Sequence, residues 1–295
     1  MSRRALVSGA TGFVGARLVN HLLADGWSVQ VIARPESTTE RLGPVLERIV
    51  VHRFDGTAES MRRIVGESRP SVVFHLASLF LSEHQSDDIG RMVESNLLFG
   101  TRLVEAMSLE GARCLVNTGT SWQHFEGRAY SPVNLYAATK QAFEDLLEYF
   151  VEARGMAAIT LKLCDTYGPD DPRRKVIRLL RDAAHSGVVL SMSPGEQALD
   201  LVHVEDVVRA YTTAAEMLLS APFCGHQRFS VSCGKPISLK SLVAEYERAL
   251  DVKIPVAWGA RPYREREVMK PRCPDPDLPD WEPRISLFDG LKAMR

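Results

Sequence analysis

Tyr136 and Lys140 stand four residues apart in Tyr136-Ala137-Ala138-Thr139-Lys140. On a helix that spacing puts both side chains on one face. A free phenol, with a pKa near 10, is a poor acid–base group at neutral pH. An ammonium beside it stabilises the phenolate and brings proton transfer into working range. Sixteen residues before the tyrosine, Asn117-Thr118-Gly119-Thr120-Ser121 gathers hydroxyls at the end of an apolar run. A hydroxyl placed there can hold a carbonyl oxygen beside the phenol.

The N-terminus supplies a second chemical pattern. The apolar run Ala5-Leu6-Val7-Ser8 breaks into Gly9-Ala10-Thr11-Gly12-Phe13-Val14-Gly15. Phe13, Val14, Leu18, Val19, Leu22 and Leu23 then follow helical spacing. Strand, tight turn and helix in that order aim backbone N–H groups and the positive end of a helix at one point, where a pyrophosphate is the usual occupant. The spacing is Gly-x-x-Gly-x-x-Gly rather than Gly-x-Gly-x-x-Gly. In dinucleotide folds an acidic residue at the end of the second strand accepts from the ribose 2′-hydroxyl. Here Ala33 fills that slot and Arg34 follows. A missing carboxylate and an added guanidinium favour a 2′-phosphate, hence NADP(H); the plain alternative is a solvated loop arginine. Asp55, beyond the third strand, meets the adenine amino group or caps a turn.

These residues need a scaffold, and the sequence predicts one. Strands are expected at 28–33, 49–54, 71–76, 114–117 and 158–163, with helices at 58–65, about 89–109 and 136–153. That alternation makes an α/β protein, a Rossmann-type doubly wound parallel sheet with right-handed crossovers. After about Thr166 Pro and Gly become denser, and 271–283 is expected to be irregular. The predicted division is a cofactor-binding domain over 1–165, with 200–233 returning to it, and a smaller C-terminal substrate-binding domain from 166–199 and 234–295.

Composition excludes several classes. A net charge of −1 over 295 residues gives no general attraction to nucleic acid or anionic membranes. The five scattered cysteines have no zinc-ligand spacing, so no metal is expected, and they suit a reducing, cytoplasmic setting. No run approaches the roughly 18 apolar residues of a membrane helix.

The motifs together resemble the extended short-chain dehydrogenase/reductase superfamily. The resemblance rests on GATGFVG, His75-Leu76-Ala77, 96–101 (NLLFGT), the hydroxyl cluster, Tyr-x-x-x-Lys, Tyr167-Gly168-Pro169 and Leu201-Val202-His203-Val204-Glu205-Asp206-Val207, in the family's order. It implies a Rossmann domain, a small substrate domain, nucleotide-sugar substrates and a homodimer through the helices near 89–109 and 136–153. Tyr136 would be the acid–base residue, Lys140 its tuner and ribose anchor, and Thr120 the orienting hydroxyl, with Ser121 second. Contacts to NADP(H) would come from Gly9, Thr11, Gly12, Phe13, Val14, Gly15, Arg34, Asp55, Leu76, Ala77, Asn96, Thr118, Tyr136 and Lys140. His75 reads as a packed strand-end histidine, and His203 with Asp206 as a helix start.

Dehydratases of the family carry an Asp-Glu pair after the catalytic hydroxyl; this chain has Ser121-Trp122 there. Thr120-Ser121-Trp122-Gln123-His124 and 132–144 (PVNLYAATKQAFE) are similar to CDP-4-keto-6-deoxyglucose reductases, the abequose and paratose synthases. That likeness implies NADPH-dependent reduction of the C4 ketone of a CDP- or dTDP-linked 4-keto-6-deoxyhexose. A 4-epimerase and a non-catalytic NADP(H) sensor are the alternatives. Ser121, Trp122, Arg173, Arg174 and Arg264 are the candidate substrate contacts, Arg264 with Glu267 nearby. Trp122 and His124 either shape a sugar pocket or pack the loop, and Arg173 to Lys175 either bind the diphosphate or form a solvated face.

Overall fold

A computed structural model describes residues 3–220 and 223–294. Seven parallel strands form the central sheet: β1 (Arg4–Ser8), β2 (Ser28–Ala33), β3 (Val50–Arg53), β4 (Val72–His75), β5 (Cys114–Thr120), β6 (Ala157–Leu163) and β7 (Gly225–Val231). Their order is β7-β6-β5-β4-β1-β2-β3. The strands are apolar runs because helices cover both faces. On one face α1 (Phe13–Ala24) and α7 (Val204–Ser220) close a core around Leu18, Leu22, Phe74, Ile159 and Tyr211. On the other, α2 (Ala58–Ser68), α4 (Phe99–Glu110) and α5 (Leu135–Arg154) cover Leu6, Val73, Leu115 and Phe143.

The helix expected near 89–109 is two pieces, α3 (Asp88–Val93) and α4, joined by a π-helical turn over Glu94–Leu98. The extra residue in such a turn shifts the face that follows it. That turn contains Asn96.

A third apolar cluster forms the smaller unit. It packs α6 (Val176–Ser186), α8 (Leu239–Leu250) and α9 (Leu287–Lys292) around Leu180, Leu242 and Tyr246. The stretch expected to be irregular, 271–283, has no helix or named strand and returns to the large sheet. Ser230 of β7 donates its N–H to the Pro276 carbonyl at 2.8 Å, and Leu278 joins the core beside α7. Asp206 of α7 accepts N–H bonds from Arg284 and Ile285, and its carbonyl accepts from the Trp281 indole at 2.9 Å. His203 accepts from the Glu205 N–H at 3.3 Å, as a residue at a helix start does.

Candidate active site

The strand order reverses between β1 and β4, and a cleft opens there at the carboxyl ends of the strands, as in other doubly wound sheets. It encloses about 220 Å³, lined by residues of the glycine turn, the β4–α3 loop, the end of β5 and the start of α5.

The glycines differ in what demands them. Gly9 has φ +73°, and a Cβ on it would lie 2.6 Å from the Ala77 nitrogen. A Cβ on Gly15 would meet the Gly9 carbonyl oxygen at 2.2 Å, so this glycine lets α1 sit close on β1. Gly12 has ordinary φ, −78°, and its nearest neighbour to a Cβ is the Gly9 oxygen at 3.2 Å. Gly12 is also the N-cap of α1 and offers no side-chain cap. The first-turn N–H groups of a twelve-residue helix with no acidic residue in that turn therefore face the cleft. A bare backbone cradle that any side chain would fill suits a pyrophosphate.

Tyr136 is the second residue of α5. Asn134 caps that helix by accepting from the Ala137 N–H at 3.0 Å, and its amide donates to the carbonyls of Leu81 and Ser82. One residue thus fixes both the helix start and the loop over the phenol. The Tyr136 ring lines the cleft and meets Phe80 edge to face, 4.9 Å between centroids. Burial pushes the phenol up to about 12, while the Ser78 hydroxyl and the Arg173 charge act the other way. At neutral pH the phenol carries its proton.

Lys140 is only 3% exposed. Burial lowers its ammonium to about 8; Glu144 opposes that and Lys162 adds to it. Among the described residues no hydrogen bond holds the Lys140 ammonium, although little of the residue is exposed, so its donors are open to a ligand's acceptors. Ribose hydroxyls are acceptors of the right kind, so the residues present fit a dinucleotide. Neighbouring His75, also lowered by burial, to about 3, stays neutral and is tied to Ser8 at 2.8 Å. It is a packed strand-end residue.

Thr120 lies at the end of β5, lines the cleft, and accepts from the Trp122 N–H at 3.3 Å. Gln123 holds the Thr120 N–H at 3.0 Å. Thr118 lines the cleft too; its hydroxyl donates to the His75 carbonyl at 2.7 Å and accepts from the buried Tyr211 phenol at 2.6 Å. Phe13, Val14, Leu76, Ser121, Trp122 and Arg173 complete the predicted residues on the lining. Thr11 and Ala77 flank the turn without lining the cleft.

Asn96 is buried in the π turn: it accepts from the Leu79 N–H at 2.7 Å and donates to the Leu79 carbonyl and to Thr139. It clamps the loop bearing Ser78 and does not line the cleft. Asp55 accepts from the Thr57 N–H and hydroxyl at 2.9 and 2.7 Å, as a turn cap does, and does not line the cleft. These bonds hold its carboxylate below the usual range. Arg173, expected among the substrate contacts, lines the cleft beside the glycine turn. Asp171 holds its guanidinium at 2.7 and 2.8 Å, the Thr166 carbonyl accepts from it, and it lies 4.8 Å over the Phe13 ring. Arg34 is exposed at the end of β2, 3.2 Å from Glu36.

A second cavity, about 600 Å³, adjoins the cleft and shares Phe80, Trp122, Asp165, Thr166 and Lys175 with it. Arg174 and Arg264 line it. Arg264 lies 5.5 Å over the Trp122 ring and pairs with Glu267 at 2.9 Å, so Trp122 and Arg264 form one wall. His124 packs the loop, donating to the Arg128 carbonyl and lying 3.3 Å from Asp275. Phe80, Ser78 and Tyr211 were missed. The first two follow β4 directly, and strand ends of a parallel sheet are where ligands are met; nothing local marks Tyr211.

Comparison with known proteins agrees with this geometry. CDP-abequose synthase of Salmonella muenchen is 24% identical over all of this chain and 97% of its own length. UDP-glucose 4-epimerase of Mycolicibacterium smegmatis is 27% identical over 98% of the chain and 96% of its own. The crystal structure of Thermus thermophilus UDP-glucose 4-epimerase in complex with NAD superposes with a TM-score of 0.81 at 25% identity, covering 99% and 97% of the two chains. No described helix is long and apolar enough to cross a membrane. With residues 5–222 matching the family profile, and the glycine turn and Tyr136 lining one crevice with Lys140 a helical turn behind the tyrosine, the chain belongs to the NAD dependent epimerase/dehydratase family.

Proposed function

We propose that this protein uses NADPH to reduce the C4 ketone of a nucleotide-linked (CDP or dTDP) 4-keto-6-deoxyhexose. The observation that carries the reading is a cleft with a proton donor and, among the described residues, no unpaired carboxylate on its lining. Tyr136 is held protonated, and Asp165, the one carboxylate on the lining, is paired with Lys175 at 3.1 Å. A ketone reductase has to give a proton to the developing alkoxide. An epimerase has to begin by removing one from a hydroxyl, and a dehydratase needs a carboxylate for elimination.

NADPH, when bound, supplies the hydride. The first-turn N–H groups of α1 would hold its pyrophosphate, and Lys140 the nicotinamide-side ribose. Tyr136 donates its proton to the carbonyl oxygen, and Thr120 hydrogen-bonds that oxygen as its charge develops. Phe80 and Trp122 exclude water beside the phenol and give the sugar's deoxy carbon an apolar wall. Arg174 and Arg264, with Ser121, face the diphosphate and sugar. The exposed apolar residues Ile89, Val93, Leu98, Leu146 and Tyr149 on α3, the π turn and α5 support a homodimer through those helices. The M. smegmatis and T. thermophilus relatives favour a 4-epimerase as second reading; Tyr136 on the crevice, with Lys140 one helical turn on, argues against a non-catalytic sensor.

The decisive assay follows NADPH absorbance with CDP- and dTDP-4-keto-6-deoxyglucose. Stoichiometric oxidation is expected; interconversion without net consumption would establish the epimerase. Arg34→Ala is expected to narrow the preference for NADPH over NADH about tenfold or more, measured as the ratio of kcat/KM values. The exposed Arg34–Glu36 pair is worth under about 1 kcal/mol and yields readily to a phosphate. Unchanged selectivity would assign phosphate reading to another group. The rate is expected to fall as pH rises through about 8, where the buried Lys140 ammonium loses its proton, while Tyr136 keeps its own to about 12. A rate rising steadily past pH 9 would contradict this.

A further inference from the structure

Behind the cleft, on the far side of Thr120 and Lys140, lies a buried ionic cluster that the reaction outlined above does not use. Glu144, one helical turn beyond Lys140 on α5, is fully buried. Its two oxygens accept from the Lys162 ammonium of β6 at 2.7 and 2.8 Å. One of them also accepts from the Gln123 amide at 2.9 Å and the other from Arg228 of β7 at 3.2 Å. Lys162 is 1% exposed. Its aliphatic stem passes beneath Gly119, where a Cβ would meet the Lys162 Cδ at 2.7 Å.

Such a pair is costly to bury, and apolar residues of similar volume often serve stability as well or better. Its retention here asks for a reason in its surroundings, and there are two. Gln123 spans from the Glu144 carboxylate to the Thr120 N–H, so the carboxylate fixes the end of β5 through one intervening amide. Glu144 also sets the local field at Lys140, which has no acceptor of its own among the described residues.

We propose that Glu144, clamped by Lys162, is a positioning residue: it keeps the Lys140 ammonium charged in its buried place and holds Thr120 through Gln123. This rests on Tyr136, Thr120 and Lys140 being the working groups, and not on which sugar is bound. Lys140 is faced by Glu144 and Tyr136 on its own helix, by Lys162 from β6 and by His75 from β4. His75 stays neutral and Tyr136 keeps its proton through the working range. Burial lowers the proton affinity of Lys140 most; of the charges facing it, Glu144 raises that affinity and Lys162 lowers it.

The test is a titration of the ligand-free protein, reading the Lys140 13Cε chemical shift against pH in lysine-labelled samples. Glu144→Gln is expected to move the Lys140 midpoint down by about two pH units, the size expected for one charge about 6 Å away at an effective dielectric near 20, and Lys162→Met to move it up. Both substitutions disturb the same cluster, so a merely structural role would shift both midpoints the same way or leave both unmoved; either result overturns the proposal. If Glu144→Gln does not fold, Lys162→Met alone still decides through the direction of its shift, and the double variant, which keeps the volume and removes both charges, is expected to fold with the midpoint within about half a unit of wild type. A double variant whose midpoint moves as far as that of either single would equally overturn it. Failure of the keto-sugar assay would leave this titration untouched.

Discussion

Tyr136→Phe lowers turnover at least about 100-fold while NADPH affinity changes less than about threefold. The substitution removes one oxygen and keeps the ring, so the edge-to-face contact with Phe80 at 4.9 Å survives. What goes is the proton that neutralises the alkoxide. Ser78, whose hydroxyl faces the phenol, is a poor substitute because a serine hydroxyl is far less acidic and is engaged with Asn96 at 3.3 Å. Steady-state kinetics with the keto-sugar, together with fluorescence titration of NADPH, separates the two effects. A near-wild-type rate would refute the role of Tyr136, and a large loss of NADPH binding would mean that the ring itself carries cofactor affinity.

Gly15→Ala and Gly12→Ala are expected to fail in opposite ways. At Gly15 the new methyl would sit 2.2 Å from the Gly9 oxygen and 2.8 Å from the Ala10 Cα. Backbone cannot yield as a side-chain tip does, so α1 has to back away from β1. Overpacking of this kind costs about 3 kcal/mol or more, read as a lower midpoint in urea. At Gly12 the nearest atom is at 3.2 Å and φ is ordinary. Stability there should change by under about 1 kcal/mol, yet the methyl stands where the pyrophosphate would lie, and NADPH affinity should fall at least about tenfold. Equal stability losses in the two variants, or unchanged NADPH binding in Gly12→Ala, would contradict this division of labour.

Local patterns carried much of this into the sequence. The glycine turn, the Tyr-x-x-x-Lys helix and the strand-end hydroxyls are each set by neighbours a few residues apart, and all meet at the crevice. Other placements depend on contacts that no local pattern registers. Asn96 sits in the π turn, a break no local pattern announces, and its amide is spent on Leu79 and Thr139. Asp171, two residues earlier, captures the Arg173 guanidinium and lays it over Phe13. Phe80 reaches Tyr136 through a loop held from Asn134, a contact over 50 residues of chain that periodicity does not register. The Glu144–Lys162 pair joins a helix to a strand and has no local signature.

The path of the C-terminal stretch also bears on how new specificities can arise on this scaffold. The polypeptide leaves the large sheet after β6, comes back for α7 and β7, leaves again, and is finally laced to α7 by Asp206 and Trp281. The cap over the second cavity is therefore not an appendage that recombination can exchange at a single crossover. A chimaera that grafts a relative's cap has to replace both excursions and respect the lacing, or the seam beside α7 is left open. Divergence by point substitution on the cavity wall is the easier road.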